Sequence, residues 1–235
     1  MPTTIAQIEA LARLRLVEAD ARYWEDGELT SITIAGTRDL WRDIVDLKQE
    51  YYLKVNDTDV FLAANATQLS GVPADVHKVY LIEPRDTTTS STNTGVAFDP
   101  LDMNHRLFRS ARSLSAVDPS HQKFYYAVTG QGAPVEAPII RTAPKSNSIL
   151  NLTLTYVPVL GELTEDSVVP IPGEADNALV AWTVAFALAK EREDKSPDPN
   201  WLSIYATEKA HLLQSLGLRQ LQEPEYVEAV FSEYW

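Results

Sequence analysis

Apolar positions return every three or four residues over residues 4–20, where Ile5, Ile8, Leu11, Ala12, Leu16 and Ala19 share one side of an amphipathic helix. The same period resumes after Trp24 and runs through Leu40, Trp41, Ile44, Val45 and Leu47 to about Glu50. At its start, Glu25 as N-cap puts Glu28 at N3, with Trp24 and Leu29 in the two staple positions. Glu is a poor cap, so Asp26 is the other candidate for that role. Gly36 and the β-branched residues around Thr33 are expected to weaken this second helix near its middle.

The period then changes. Val60–Ala63 is a short apolar run, Gly71-Val72-Pro73-Ala74 breaks the chain, and Val76–Ile82 alternates as a strand does. Thr87–Thr94 reads as an exposed loop, and Pro100–Ser113 as a short helix carrying Leu101, Leu107 and Phe108. Phe124–Val128 is a strand, Gly130–Gly132 a turn, and the proline-rich stretch 134–144 an edge strand or extended linker. The clearest strand is Ser148–Val157, with Leu150, Leu152, Leu154 and Tyr156 on one face and Asn151, Thr153 and Thr155 on the other. Four to six strands are expected between about 55 and 160.

Beyond Pro170 and Pro172 lies a different kind of segment. Ala178–Ala189 is apolar on all sides apart from Thr183, within a helix expected over about 174–193. Such a helix must be covered on every face, by its own domain or by a neighbouring subunit. It is too short for a bilayer, which needs about 20 apolar residues. After a polar break at 194–199, Trp201, Ile204, Tyr205, Leu212, Leu213 and Leu216 mark a further helix that forms an antiparallel hairpin with it, and Gly217 offers a C′ stop. In Glu225–Trp235, Tyr226, Val227, Val230, Phe231, Tyr234 and Trp235 fall on one helical face and the acids largely on the other. Four aromatics there need a cover, either the chain's own domain or a partner groove, and the second reading is preferred.

The fold class expected is α+β: a helical bundle from the N- and C-terminal helices, an inserted small β-domain, and an extended C-terminal arm. The corresponding segments are 1–54, 55–165, 166–217 and 218–235.

Charge narrows the function. The net charge is −13. Residues 1–60 hold 12 acids against 7 bases, residues 61–172 hold 10 against 8, and residues 173–235 hold 11 against 5. Nucleic-acid binders set Lys and Arg against phosphate, so sequence-specific DNA or RNA binding is not expected. Arg106, Arg109 and Arg112 form the single basic stripe, either a solvated face or a match for an acidic neighbour. The absence of cysteine excludes disulfides and thiol catalysis and suits a reducing cytoplasm. Met1–Ala10 has no basic start or apolar run, so no signal peptide is expected. His77, His105, His121 and His211 lack metal-ligand spacing, and no cofactor or metal is expected. A glycosidase needs two carboxylates with one perturbed; Glu162 with Glu165 or Asp166 are the candidates, in a turn whose flanks read as exposed.

With Trp24-Glu25-Asp26-Gly27-Glu28-Leu29, Val72-Pro73-Ala74-Asp75 leading into Lys78-Val79-Tyr80, Leu152–Pro158 and Ile171-Pro172 in this order, the chain resembles the head–tail connector (adaptor or neck) proteins of tailed bacteriophages over about residues 4–216. The resemblance rests on order and spacing rather than on one motif. Glu25 departs from the usual Ser or Thr, and the loop 87–95 is long for the family. The resemblance implies a structural virion protein without catalysis, assembled in the host cytoplasm. It implies a ring, typically of twelve copies, beneath the portal, with a stopper or tail-terminator protein below and DNA passing through without specific binding. Tyr226, Val230, Phe231, Tyr234 and Trp235 would then dock to the portal, and Leu179, Trp182 and Phe186 would pack between subunits. The alternatives are a neck- or tail-associated cell-wall hydrolase and a soluble binding module with its tail folded in.

Overall fold

The computed structural model describes residues 3–17, 23–85, 97–118, 123–130, 137–192 and 195–218. In chain order these form α1 (Ile5–Arg15), α2 (Asp26–Leu47), β1 (Lys54–Asn56), β2 (Phe61–Leu62), β3 (Leu69–Ser70), β4 (Val76–Pro84), β5 (Ala97–Pro100), α3 (Arg106–Arg112), β6 (Lys123–Thr129), β7 (Ile139–Ala143), β8 (Leu150–Pro158), α4 (Asp176–Leu188) and α5 (Pro199–Leu218). The class is α+β. Contacts divide the chain into two compact units, Met1–Lys48 with Leu160–Trp235, and Gln49–Val159. The second runs over 49–159 where 55–165 was expected, because a 3-10 turn at Gln49–Tyr52 and strand β1 belong to it.

In the helical unit, α1 opens on a reciprocal cap. Gln7 N–H donates to Thr4 Oγ1 at 3.3 Å, and Thr4 N–H donates to Gln7 Oε1 at 3.0 Å. Two of its remaining unpaired first-turn donors are met by the segment before α4: Ile5 N–H reaches Ser167 O and Ala6 N–H reaches Glu165 O, each at 3.1 Å. The helix stops earlier than its apolar period suggests. Val17 has φ 58°, a left-handed conformation that cannot continue a right-handed helix and that a β-branched residue rarely adopts.

Glu25 is the N-cap of α2, and its N–H donates to Glu28 Oε2 at 3.1 Å. Trp24 and Leu29 pack in one cluster with Ala187, closing the staple. The helix runs unbroken through Gly36, contrary to the expected weakening, because that glycine meets the Trp182 ring of α4, where an added Cβ would lie 2.5 Å from Cδ1. Thr33 likewise has a buried partner: its hydroxyl is 3.0 Å from that of Thr183, which donates to Leu179 O at 2.8 Å.

Helix α4 is surrounded by its own chain. It packs against α1, α2 and α5, and Ala178, Leu179, Val180, Ala181, Thr183, Val184, Ala185 and Ala187 are all buried. Asp198 caps α5, its Oδ1 accepting from Asn200 N–H at 3.0 Å and Trp201 N–H at 3.1 Å, with Pro199 as the first helical residue. Gly217 is not a C′ stop; α5 continues through it to Leu218.

In the β unit, β8 is the central strand of a five-stranded sheet, pairing antiparallel with β1, β2 and β4, while β3 extends β2. Its alternation holds: Leu150, Leu152, Leu154 and Tyr156 are buried, and Asn151, Thr153 and Thr155 are half-buried. A second sheet has the order β5-β6-β7, with β5 parallel to β6. Strand β7, from the proline-rich stretch, lies at its edge as a Pro-flanked strand should. Both sheets contribute to one core, in which Phe98 and Phe124 stack at 5.2 Å. Among the described residues there are eight strands here, more than the four to six expected, because several are two to five residues long and too short for a period to show. Helix α3 connects parallel β5 to β6, the long connection such a pair requires. It begins only at Arg106, since Asp102 Oδ1 accepts from Asn104 N–H at 2.6 Å and holds the preceding residues in a turn.

Candidate interaction surfaces

Of the residues expected to pack between subunits, Leu179 is fully buried by its own chain, so it has no surface to offer another copy. Helices α1, α2 and α5 of the same chain cover most of the all-apolar helix. Trp182 and Phe186 are half-buried, with ring centroids 4.3 Å apart. Trp182 Nε1–H donates to Ile32 O at 3.1 Å, and its ring meets Tyr205 at 4.9 Å. These two keep some exposed area; most of their surface is already committed within the subunit. Tyr226, Val230, Phe231, Tyr234 and Trp235 lie outside the described residues, as do the loop 87–94 and His121.

Beside Trp182 lies a charged cluster that the sequence reading passed over. Tyr205 OH donates to Asp39 Oδ2 at 2.7 Å, and Lys209 Nζ is 3.2 Å from the same atom and also pairs with Asp43. Burial, reinforced by the Asp39 bond, pushes the Tyr205 hydroxyl up from its ordinary value. For Lys209, burial works downward, but the two carboxylates outweigh it and hold the ammonium above its usual range. The clue was Asp39 and Asp43 at spacing four on α2, one turn apart on one face. The cluster holds α5 onto α2.

Glu9 is the second feature. It sits at spacing four from Ile5 on the packed face of α1 and is buried, and its Oε1 meets no donor among the described residues. Burial pushes its carboxyl up. A hydrogen bond with Thr30 acts the other way, and Glu165 and Asp26 push it further up. Arg13, one turn on, donates to Trp24 O at 2.9 Å and to Asp26 Oδ1 at 2.7 Å. The sequence reading passed over Glu9 and Arg13; the signal for them was their spacing of four from Ile5 and from each other along α1.

In the β unit, Asp75 of the Val72–Asp75 turn is clamped between strands. Its carboxylate accepts from Tyr156 OH at 2.9 Å and from Lys54 Nζ at 3.1 Å. Burial works to raise the Asp75 carboxyl, but these two bonds outweigh it and hold it below the usual range. The Tyr156 hydroxyl is pushed up to about 12, by burial first and then by this bond. An open groove of about 380 Å³ runs beside β4 and is lined mainly by apolar groups, with Leu101, Tyr126 and Val128 among them. Its lining offers one carboxylate, Asp102, and no serine, threonine or cysteine. The three arginines of α3 are all exposed.

Glu162, Glu165 and Asp166, the carboxylates weighed for glycosidic chemistry, are all exposed, and no cavity among those described gathers them. His77, His105 and His211 are also exposed; His105 caps α3, its Nδ1 accepting from Leu107 N–H at 3.3 Å. Among the described residues no three His, Asp or Glu side chains are grouped to hold a metal ion, and no helix is long and apolar enough to cross a membrane. No protein-family model matches the chain, and no curated protein does so.

Proposed function

We propose that this chain is a non-enzymatic structural protein of the tailed-phage neck. In this reading it is a head–tail connector whose copies form a ring, typically of twelve, joining the portal to the tail and forming part of the DNA channel. The finer architecture belongs to the same proposal: N- and C-terminal helices make one bundle, the β unit is inserted in it, and residues beyond 218 form an arm that docks to the portal.

The observation that carries the reading is the division of charge between the units. The helical unit holds 23 acids and 11 bases, the β unit 10 and 9, so the net charges are −12 and −1. A surface that phosphate must slide past is served by fixed negative charge, because attraction would hold the DNA. Concentrating that charge in one unit leaves the other nearly neutral for contacts with proteins. With α4 covered from within, lateral contacts must come from other surfaces than Leu179.

Electron microscopy of the full-length protein mixed with purified portal is the test. Closed rings seated on the portal are expected. Phe231→Ala with Trp235→Ala should weaken that association about tenfold or more, as loss of central aromatic anchors does. A full-length protein that stays free of portal at micromolar concentrations would end the proposal.

A further inference from the structure

Helix α1 carries a single acid, Glu9, and packs it inward: the residue is 4% exposed, and its Oε1 meets no donor among the described residues. A buried carboxylate short of donors is costly, whereas the protonated acid needs only one acceptor for its proton. The fold supplies the acceptor and withholds the donor. Thr30, the hydroxyl beside Glu9, has one proton, and that proton goes to Asp26 O at 2.9 Å. A carbonyl cannot donate, so the direction of this bond is fixed, and Thr30 Oγ1 keeps lone pairs for a protonated Glu9.

The charges around Glu9 act the same way. Asp26 faces it from α2 and Glu165 from the segment before α4, where the Glu165 carbonyl accepts from Ala6 N–H at 3.1 Å. Arg13 faces it from α1 itself, but that guanidinium also reaches Asp26 Oδ1 at 2.7 Å and Trp24 O at 2.9 Å. Helix α4, also packed on α1, has one charged residue, Asp176, whose carboxylate accepts from the Thr3 hydroxyl at 2.7 Å. Neutral Glu9 suits these surroundings; ionised Glu9 adds a third negative charge beside two carboxylates and has no free hydroxyl proton to accept from Thr30.

We propose that Glu9 is a proton-operated latch: protonated, it holds the first two turns of α1 against α2 and the segment 165–169, and ionised, it lets them part. Because the docked form binds the proton more tightly, docking is complete in acid and weakens as pH rises through the docked-state value. The latch belongs to the single chain and works whatever that chain assembles into.

Hydrogen exchange of the full-length chain, followed by mass spectrometry over a pH series and divided by the intrinsic exchange rate at each pH, is the test. From the ordinary glutamate range, about pH 4.3, to neutrality, protection of residues 5–15 should fall about tenfold or more. Protection of α5, in the same unit, should stay constant. Glu9→Gln, an uncharged copy of the protonated acid, should keep α1 protected throughout. Thr30→Val removes the acceptor and should lower the protection of α1 in acid towards its neutral level. If Glu9→Gln does not fold, NMR of the Glu9 side-chain carboxyl carbon in the wild-type chain takes its place, and its titration should coincide with the loss of protection. An α1 indifferent to pH, a response that survives Glu9→Gln, a loss shared equally by α5, full protection in acid despite Thr30→Val, or a carboxyl that titrates apart from the opening would each overturn the proposal.

Discussion

Gly36 shows how one residue can read as a weakness and serve as a contact. Helix propensity favours Ala over Gly by about 1 kcal/mol. At position 36, however, the new methyl would be driven into the Trp182 ring, which is itself anchored by its bond to Ile32 O. Overpacking of this kind costs about 1–3 kcal/mol. Gly36→Ala should therefore lower stability in urea titration, and Gly27→Ala, with open space around it in the same helix, should not. Glu9 makes a prediction of opposite sign. Its carboxyl is raised in the folded state, so between the ordinary glutamate range and that raised value the folded chain holds more protons than the unfolded one. Its contribution is present at low pH and is lost as pH rises through the folded value. Glu9→Gln should make the protein more stable than wild type at pH 7, with the gap closing in acid, when urea midpoints are compared across a pH series.

At the scale of elements, α1, α2 and α4 are locked together at one end by Trp24. Its ring fills the staple with Leu29, and Nε1–H donates to Ala187 O at 2.9 Å near the end of α4. Replacing Trp24 by Ala removes a large buried side chain and one of the hydrogen bonds to that carbonyl, which also accepts from Lys190 N–H, and should cost about 3–5 kcal/mol in equilibrium unfolding. Trp24→Phe should cost less, because the packing largely remains and the hydrogen bond alone is lost. Helix α3 is the contrasting element. It buries one aromatic and one alanine, so substitutions on its outer face should leave unfolding unchanged within about 0.5 kcal/mol.

At the scale of the whole molecule, the charge is unevenly shared: −12 on the helical unit and −1 on the β unit. The full-length protein should leave the mobility of a DNA duplex unaltered at physiological salt. A retarded band that weakens steeply with added salt would signal phosphate contacts and contradict the role given to the acidic unit. The division also shows why the chain's ends belong together. The segment around Glu165–Val169 lies against the start of α1, with Val169 N–H bonding Thr3 O at 2.8 Å, so residues far apart in sequence form one body.

Much of this was written in local patterns. The staple at Trp24 and Leu29, the alternation of Leu150–Tyr156, the inward positions Ile5, Ile8 and Ala12 of α1 (though not Leu11, which is exposed) and the all-apolar character of α4 follow from periods of 3.6 and 2, which depend only on near neighbours along the chain. What covers α4 does not. Whether its apolar surface meets α1, α2 and α5 or another copy depends largely on α1 and α2, more than 100 positions away, and tertiary packing buries Leu179 within its own chain. The same holds for Gly36, whose purpose is a ring from residue 182, for Glu9, whose neighbours come from three segments, and for the short strands, which exist because β8 and β6 give them somewhere to pair. Period and charge determine what each segment must hide or show. Only the folded chain, by bringing distant segments within van der Waals reach, determines what it is hidden against.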